Sequence, residues 1–279
     1  MARARLGRHL SRRLSRPLSR PLSRQWCSFV NDAALIVFAK PPVPGGVKTR
    51  LTPFLTEREA ADVYAAFLGD AVEQYTGLTA DVRLYLAAPS SAADDDASGA
   101  APSDAAPSDG ALDAGIADLF QQMKTFTQRG AMLGERMLRA FAETFSAGYG
   151  RVVIVGTDHP TMPSSFLEKA IEHLATPRTV VVGPAEDGGY YLLGMNDLRP
   201  EVFHEMSYSH DAVFDETVRR VAEGGAGLTV LPTWYDVDTP ADLVRLAEEV
   251  DEVEGGLRRT RAVLARLRDR YPEIASPAT

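Results

Sequence analysis

The apolar positions of the chain fall into two periods that alternate along it. Ala33–Ala39 is apolar without interruption, and Asp81–Ala87, Arg151–Gly156, Thr179–Gly183, Tyr190–Met195 and Leu228–Leu231 are further runs of strand length. Between them the spacing changes to that of helices. Thr56-Glu-Arg-Glu59 is a capping box that opens a helix to about Tyr75, and Met132–Phe145 is amphipathic. Helices are also expected from about Ser164 to Ala175 and from Ala212 to Ala222. Thr239-Pro240-Ala241-Asp242 supplies an N-cap, a proline at the first helical position and an acid at the third, opening a charged helix to about Asp269. Strands apolar along their whole length, alternating with helices, predict an α/β fold with a mostly parallel sheet and helices on both faces. In such sheets ligands gather beyond the carboxyl ends of the strands, so chemistry is to be sought in the loops that follow them.

Two segments fall outside this pattern and set the domain limits. Residues 1–30 carry eight arginines and no acid, with Leu-Ser-Arg repeated from Leu10, Leu14, Leu18 and Leu22. Pro17 and Pro21 break the helix that this spacing suggests, so the segment is expected to be a disordered Arg-rich tail or, less simply, a targeting segment. A second stretch, 88–111, consists almost wholly of Ala, Ser, Asp, Pro and Gly and reads as a solvated insertion within one domain spanning 31–272. Its Asp94-Asp95-Asp96 run could suggest a metal site, but nothing near it would order the ligands. A short tail is expected over 273–279.

Charge narrows the class of ligand. Once the eight tail arginines are set aside, 22 of the 30 basic residues face 38 acids, and a body that acidic repels a nucleic-acid backbone. No apolar run has the roughly 18 residues a membrane span needs. The expectation is a soluble cytoplasmic protein that acts on small molecules. One cysteine, Cys27, excludes a disulfide framework.

Against that acidic background the loop after the first strand stands out. Lys40-Pro-Pro-Val-Pro-Gly-Gly-Val-Lys-Thr-Arg50 holds two of the chain's four lysines and an arginine, with prolines to stiffen it and Gly45-Gly46 to let its backbone approach a ligand. Lys40, Lys48 and Arg50 would suit a diphosphate or triphosphate; the bland alternative is a basic surface loop. Val47 stands where a Walker A loop needs glycine, so that motif is absent. After the Arg151 strand comes Gly156-Thr-Asp158-His159-Pro160, where Asp158 could present a carboxylate to a hard cation or merely cap the next turn. Pro184-Ala-Glu186-Asp187-Gly188-Gly189-Tyr190 is either a substrate-facing turn or a plain β-hairpin. In Tyr235-Asp236-Val237-Asp238, alternation puts both acids on one face just before a helix. Helix capping explains Thr239 and Asp242 but not Asp236.

Four motifs in order, Phe38–Leu51, Leu133-Gly-Glu-Arg-Met137, Gly183–Leu192 and Asp236-Val-Asp-Thr-Pro240, resemble the small GT-A-fold transferases often encoded near radical-SAM enzymes. Those are relatives of 2-phospholactate guanylyltransferase and of the molybdenum-cofactor nucleotidyltransferases. The resemblance covers about Ala33 to Leu246. It implies a single GT-A, nucleotide-diphospho-sugar transferase-like domain, a nucleotide-linked substrate, and Mg²⁺ or Mn²⁺ held by Asp158, Asp236 and Asp238. Three departures from the family pattern are Met132 before Leu-Gly-Glu-Arg, His159 between Asp158 and Pro160, and Tyr208-Ser209-His210, which could add His210 as a ligand.

The expected chemistry is glycosyl transfer from a nucleotide sugar. Lys40, Gly45, Gly46, Lys48 and Arg50 would hold the phosphates, with Lys48 stabilising the leaving group. Gly188, Gly189 and Tyr190 would face the substrate, and Asp187 or Glu186 would act as base. Nucleotidyl transfer onto a phosphorylated small acid uses the same cations, and a non-catalytic nucleotide-binding relative is the third possibility.

Overall fold

The computed structural model describes residues 32–88, 120, 123–208, 210–253 and 255–274. The expected N-terminal tail, the insertion beyond Ala88 and the last five residues lie outside them. The described part belongs to one compact unit that starts at Asn31. Among the described residues no helix is long and apolar enough to cross a membrane.

Seven strands form one sheet: β1 (Ala33–Ala39), β2 (Asp81–Leu86), β3 (Lys124–Thr127), β4 (Arg151–Val155), β5 (Thr179–Pro184), β6 (Tyr190–Met195) and β7 (Gly227–Val230). Their spatial order is β3-β2-β1-β4-β6-β5-β7. Every neighbouring pair is parallel except those of β6, which runs antiparallel to both β4 and β5. Six α-helices complete the described residues: α1 (Glu57–Tyr75), α2 (Leu133–Ser146), α3 (Ser164–His173), α4 (Val213–Glu223), α5 (Pro240–Glu249) and α6 (Arg258–Arg270).

The apolar strands bury side chains on both faces. Ala33, Leu35 and Val37 of β1 point to a core closed by Tyr64, Leu68 and Val72 of α1 and by Leu167 and Ile171 of α3. Ala34 and Ile36 point the other way, to Met137 and Phe141 of α2 and Val221 of α4. A third cluster lies outside the sheet. Ala60, Val63 and Phe67, on the far side of α1, pack against Leu243 and Leu246 of α5 and Val263, Leu264 and Leu267 of α6. With apolar partners on two sides, α1 needs small residues, and its alanines supply them.

Three expectations change. β3 was not foreseen, because Lys-Thr-Phe-Thr is a mostly exposed edge strand with no apolar run to announce it. The helix expected from Pro240 to about Asp269 is two helices. Gly255, Gly256 and Leu257 all adopt left-handed φ (71°, 55° and 51°), which no helix can continue through. The expected tail at 273 starts too early, since Pro272–Ile274 forms a 3₁₀ turn with Ile274 buried in the third cluster. Leu257 offers no side-chain cap to α6, so a partner distant in sequence does so. Asp70 of α1, itself buried, accepts the amides of Arg259 (3.0 Å) and Thr260 (2.8 Å).

Candidate active site

Central β1 and β4 are hydrogen-bonded neighbours, so their carboxyl ends deliver the 40–50 and 156–160 loops side by side. The first loop is pinned at intervals. The Lys40 amide donates to Tyr64 Oη (2.8 Å), Gly46 N donates to Val43 O (2.9 Å), and Val47 and Leu51 are buried. Gly45 takes φ 75°, and a β-carbon there would sit 3.2 Å from the Glu57 carboxylate. Lys48 is left-handed too (φ 49°), at a cost of roughly 1–2 kcal/mol for a residue with a β-carbon. That turn sends its side chain inward, where it is 4 % exposed.

The Lys48 ammonium ends between two carboxylates. It pairs with Asp158 Oδ1, and Asp238 Oδ1 lies 2.8 Å away. The two acids come from segments tied together by main chain, since Val237 N donates to Asp158 O (2.8 Å). Arg50 reaches Asp238 from the outside (3.8 Å). Burial pushes the Asp238 carboxyl up, but Lys48, Arg50 and Lys40 together hold it below the ordinary value. Burial likewise works against the Lys48 charge, and Asp158 and Asp238 more than offset it, leaving that ammonium above its ordinary value.

Asp236 is turned elsewhere. Its Oδ1 lies 3.3 Å from Nδ1 of buried His159, whose ring packs against Tyr191. Burial pushes the Asp236 carboxyl up and His159 opposes this, while the neighbouring Asp158 and Asp238 charges add to the rise. The neighbouring acids thus raise Asp236, while at Asp238 the intervening ammonium reverses the direction. Among the described residues no three His, Cys, Asp or Glu side chains are grouped to hold a metal ion. Two hard carboxylates converging on one cation are nonetheless the donors that Mg²⁺ or Mn²⁺ takes, so the residues fit such an ion.

The remaining predicted residues form the flank. Residues 184–190 make the β5–β6 hairpin turn: Ala185 N donates to Gly189 O (3.0 Å), and Asp187 Oδ1 accepts from Gly189 N (2.9 Å). Gly188 has φ 88°, and a β-carbon there would lie 2.1 Å from Asp211 O, so only glycine fits. Glu186 pairs with Arg245 of α5 (2.9 Å), and its amide donates to Trp234 O (2.9 Å), which fastens the hairpin to the 234–238 segment. Tyr190 donates to Met137 Sδ (3.8 Å), and burial pushes its hydroxyl far up. His210 is exposed, and its Nδ1 accepts from Ala212 N (3.2 Å) at the start of α4, a local cap.

Sequence reasoning missed Tyr64, which stands behind Asp158. It bonds Lys40 N and Thr157 Oγ1 (3.3 Å), and burial, with Asp158 nearby, pushes its hydroxyl up to about 12. Its position inside an amphipathic helix gave it the look of an ordinary core residue. The link from Asp236 to His159 was equally hidden, since nothing in the spacing joins residues 77 apart.

Comparison with known proteins agrees with this architecture. Residues 83–210 match the family described as uncharacterized proteins conserved in bacteria, DUF2064. A solved structure from Desulfovibrio desulfuricans G20, a candidate nucleotide-diphospho-sugar transferase, is 31 % identical over 86 % of this chain and 96 % of its own, with a TM-score of 0.70. The chain belongs to the same family as this relative. The chain has the GT-A-like, nucleotide-diphospho-sugar transferase fold expected from the motifs. A cytidylyltransferase from Leptospira borgpetersenii serovar Hardjo-bovis (strain JB197) shares this fold with the chain at 12 % identity. That match covers 89 % of this chain and 98 % of the other, with a TM-score of 0.50. No curated protein matches the chain.

Proposed function

We propose that this transferase is metal-dependent and uses a nucleotide-sugar donor. The observation that carries the reading is the Lys48–Asp158–Asp238 cluster at the carboxyl edge of β1 and β4, bordered by Lys40 and Arg50. Negative charge grows on the bridging phosphate oxygen as a nucleoside diphosphate departs. Lys48, Lys40 and Arg50 are the groups that would meet it, and the Gly45-Gly46 backbone lets the phosphates approach. A Mg²⁺ or Mn²⁺ ion, held by Asp158 and Asp238 with Asp236 beside them, would add Lewis-acid neutralisation of the phosphates. Gly188, Gly189 and Tyr190 border the acceptor side. Of the two base candidates, Glu186 is engaged by Arg245, which leaves Asp187 to take the proton of an acceptor hydroxyl.

That same engagement favours a second reading. Nucleotidyl transfer to an acceptor phosphate needs no base on the hairpin, and the cations would then receive pyrophosphate. Incubation with nucleotide sugars and with nucleoside triphosphates, each with Mn²⁺, separates the two by product. Release of a nucleoside diphosphate supports glycosyl transfer, and pyrophosphate supports the second reading. Neither product, with no Mn²⁺-dependent thermal shift by any nucleotide, overturns both.

A further inference from the structure

Lys48 is more than one cation among three in its loop. Its nitrogen stands where two carboxylates meet, the coordinates a bound divalent ion would need. The segments that carry the acids are held close, because Val237 N donates to Asp158 O and Asp242 receives the Asp238 amide (3.1 Å). Charge counting points the same way. A divalent ion and an ammonium together carry three positive charges against the two carboxylates they would touch, with Arg50 adding to the excess and Asp236 turned toward His159, so the pair is unfavourable at contact distance unless new negative charge arrives. A polyphosphate supplies that charge. Lys48 can also move more readily than the acids, since its ammonium sits on a flexible four-carbon stem while each carboxylate sits on a short one.

We propose that Lys48 holds the divalent-cation position closed, and that the ion enters only with a phosphate-bearing substrate that draws the ammonium away. The protein would then take a metal–polyphosphate complex, with bare metal binding poorly. This deepens the functional reading above and rests on it for the identity of the phosphate compound.

The test is Mn²⁺ binding to the full chain, followed by the electron paramagnetic resonance signal of free Mn²⁺, without nucleotide. Lys48→Gln should bind bare Mn²⁺ at least about tenfold more tightly than wild type, since one positive charge is gone from contact distance. Asp158→Asn in that background should abolish the gain. Lys48→Arg, which keeps the charge, should bind bare Mn²⁺ as poorly as wild type and guards against a folding artefact in the neutral variant. By equilibrium dialysis, Mn²⁺–tripolyphosphate should bind wild type more tightly than Lys48→Gln. Equal bare-Mn²⁺ affinity in wild type and Lys48→Gln, both folded by circular dichroism, overturns the proposal even if nucleotide turnover is found. A gain in Lys48→Gln that Asp158→Asn abolishes sustains it even if no transferase product forms, so the two readings fail separately.

Discussion

The acid pair and the lysine depend on one another at the level of single residues, which alters what a substitution there does. If Asp158, Asp236 and Asp238 simply repelled, removing one would relieve strain. With Lys48 buried between two of them, Asp158→Asn strips a partner from an enclosed charge. We expect it to cut turnover by about 10²-fold or more. It should also lower stability by about 1–2 kcal/mol, less than for a fully buried pair because the Asp158 side chain is 41 % exposed. Parallel kinetics and urea denaturation check both. Unchanged or higher stability would mean the ion pair does not persist in solution. Gly188→Ala is a purely steric case. Its β-carbon would fall 2.1 Å from the Asp211 carbonyl oxygen, so the hairpin or α4 must shift. A loss of roughly 2 kcal/mol or more in the same assay is expected.

At the scale of elements, the two capping arrangements of α1 and α6 should respond differently. Thr56 and Glu59 form a reciprocal capping box on the exposed start of α1, and Thr56→Ala should cost about 1 kcal/mol. Asp70 caps α6 from another helix and is buried, so Asp70→Ala leaves two amides without their acceptor and should cost roughly 2–3 kcal/mol. If the two substitutions cost the same, the Asp70 contact is not a structural cap. The difference between these helices also marks what was legible in the sequence. The Thr56 and Thr239 boxes are local patterns that named their helix starts directly, and the fully apolar strands named themselves. The α6 start depends on a residue 189 positions away, and β3 on its neighbour β2, so neither leaves a local trace. The site divides the same way. Strand-end placement singled out Lys48, Asp158, Asp236 and Asp238 as candidates, while their pairing, Lys48 with two acids and Asp236 with His159, is a property of the folded sheet.

For the molecule as a whole, the charged centre sets limits on the pH range of stability. Asp238 is held below its ordinary value of 3.8, so its contribution is complete above that value and disappears as pH falls through the folded pKa. Lys48 is held above its ordinary 10.5, so its contribution is complete below that value and is lost as pH rises through the folded pKa. Urea midpoints measured across pH should therefore fall on the acid side as Asp238 takes up a proton and on the alkaline side as Lys48 loses its own. Asp236, raised above 3.8, adds a loss as pH climbs from that value through its folded pKa. In Lys48→Gln the alkaline loss from this centre should vanish. If it persists unchanged, some other group is responsible for it.

The two-sided burial of α1 has a consequence for how the chain is made. On one side α1 packs against the sheet, of which β1 precedes it and β2 follows within a few residues; on the other it awaits α6, and Asp70 meets Thr260 only 190 positions later. At about 5–20 residues per second, a ribosome leaves Val63 and Phe67 without their final cover for roughly ten to forty seconds. During that interval the nascent chain presents an apolar helical stripe beside a half-built sheet. Birth on the ribosome, more than the finished molecule, is where this protein would depend on a chaperone.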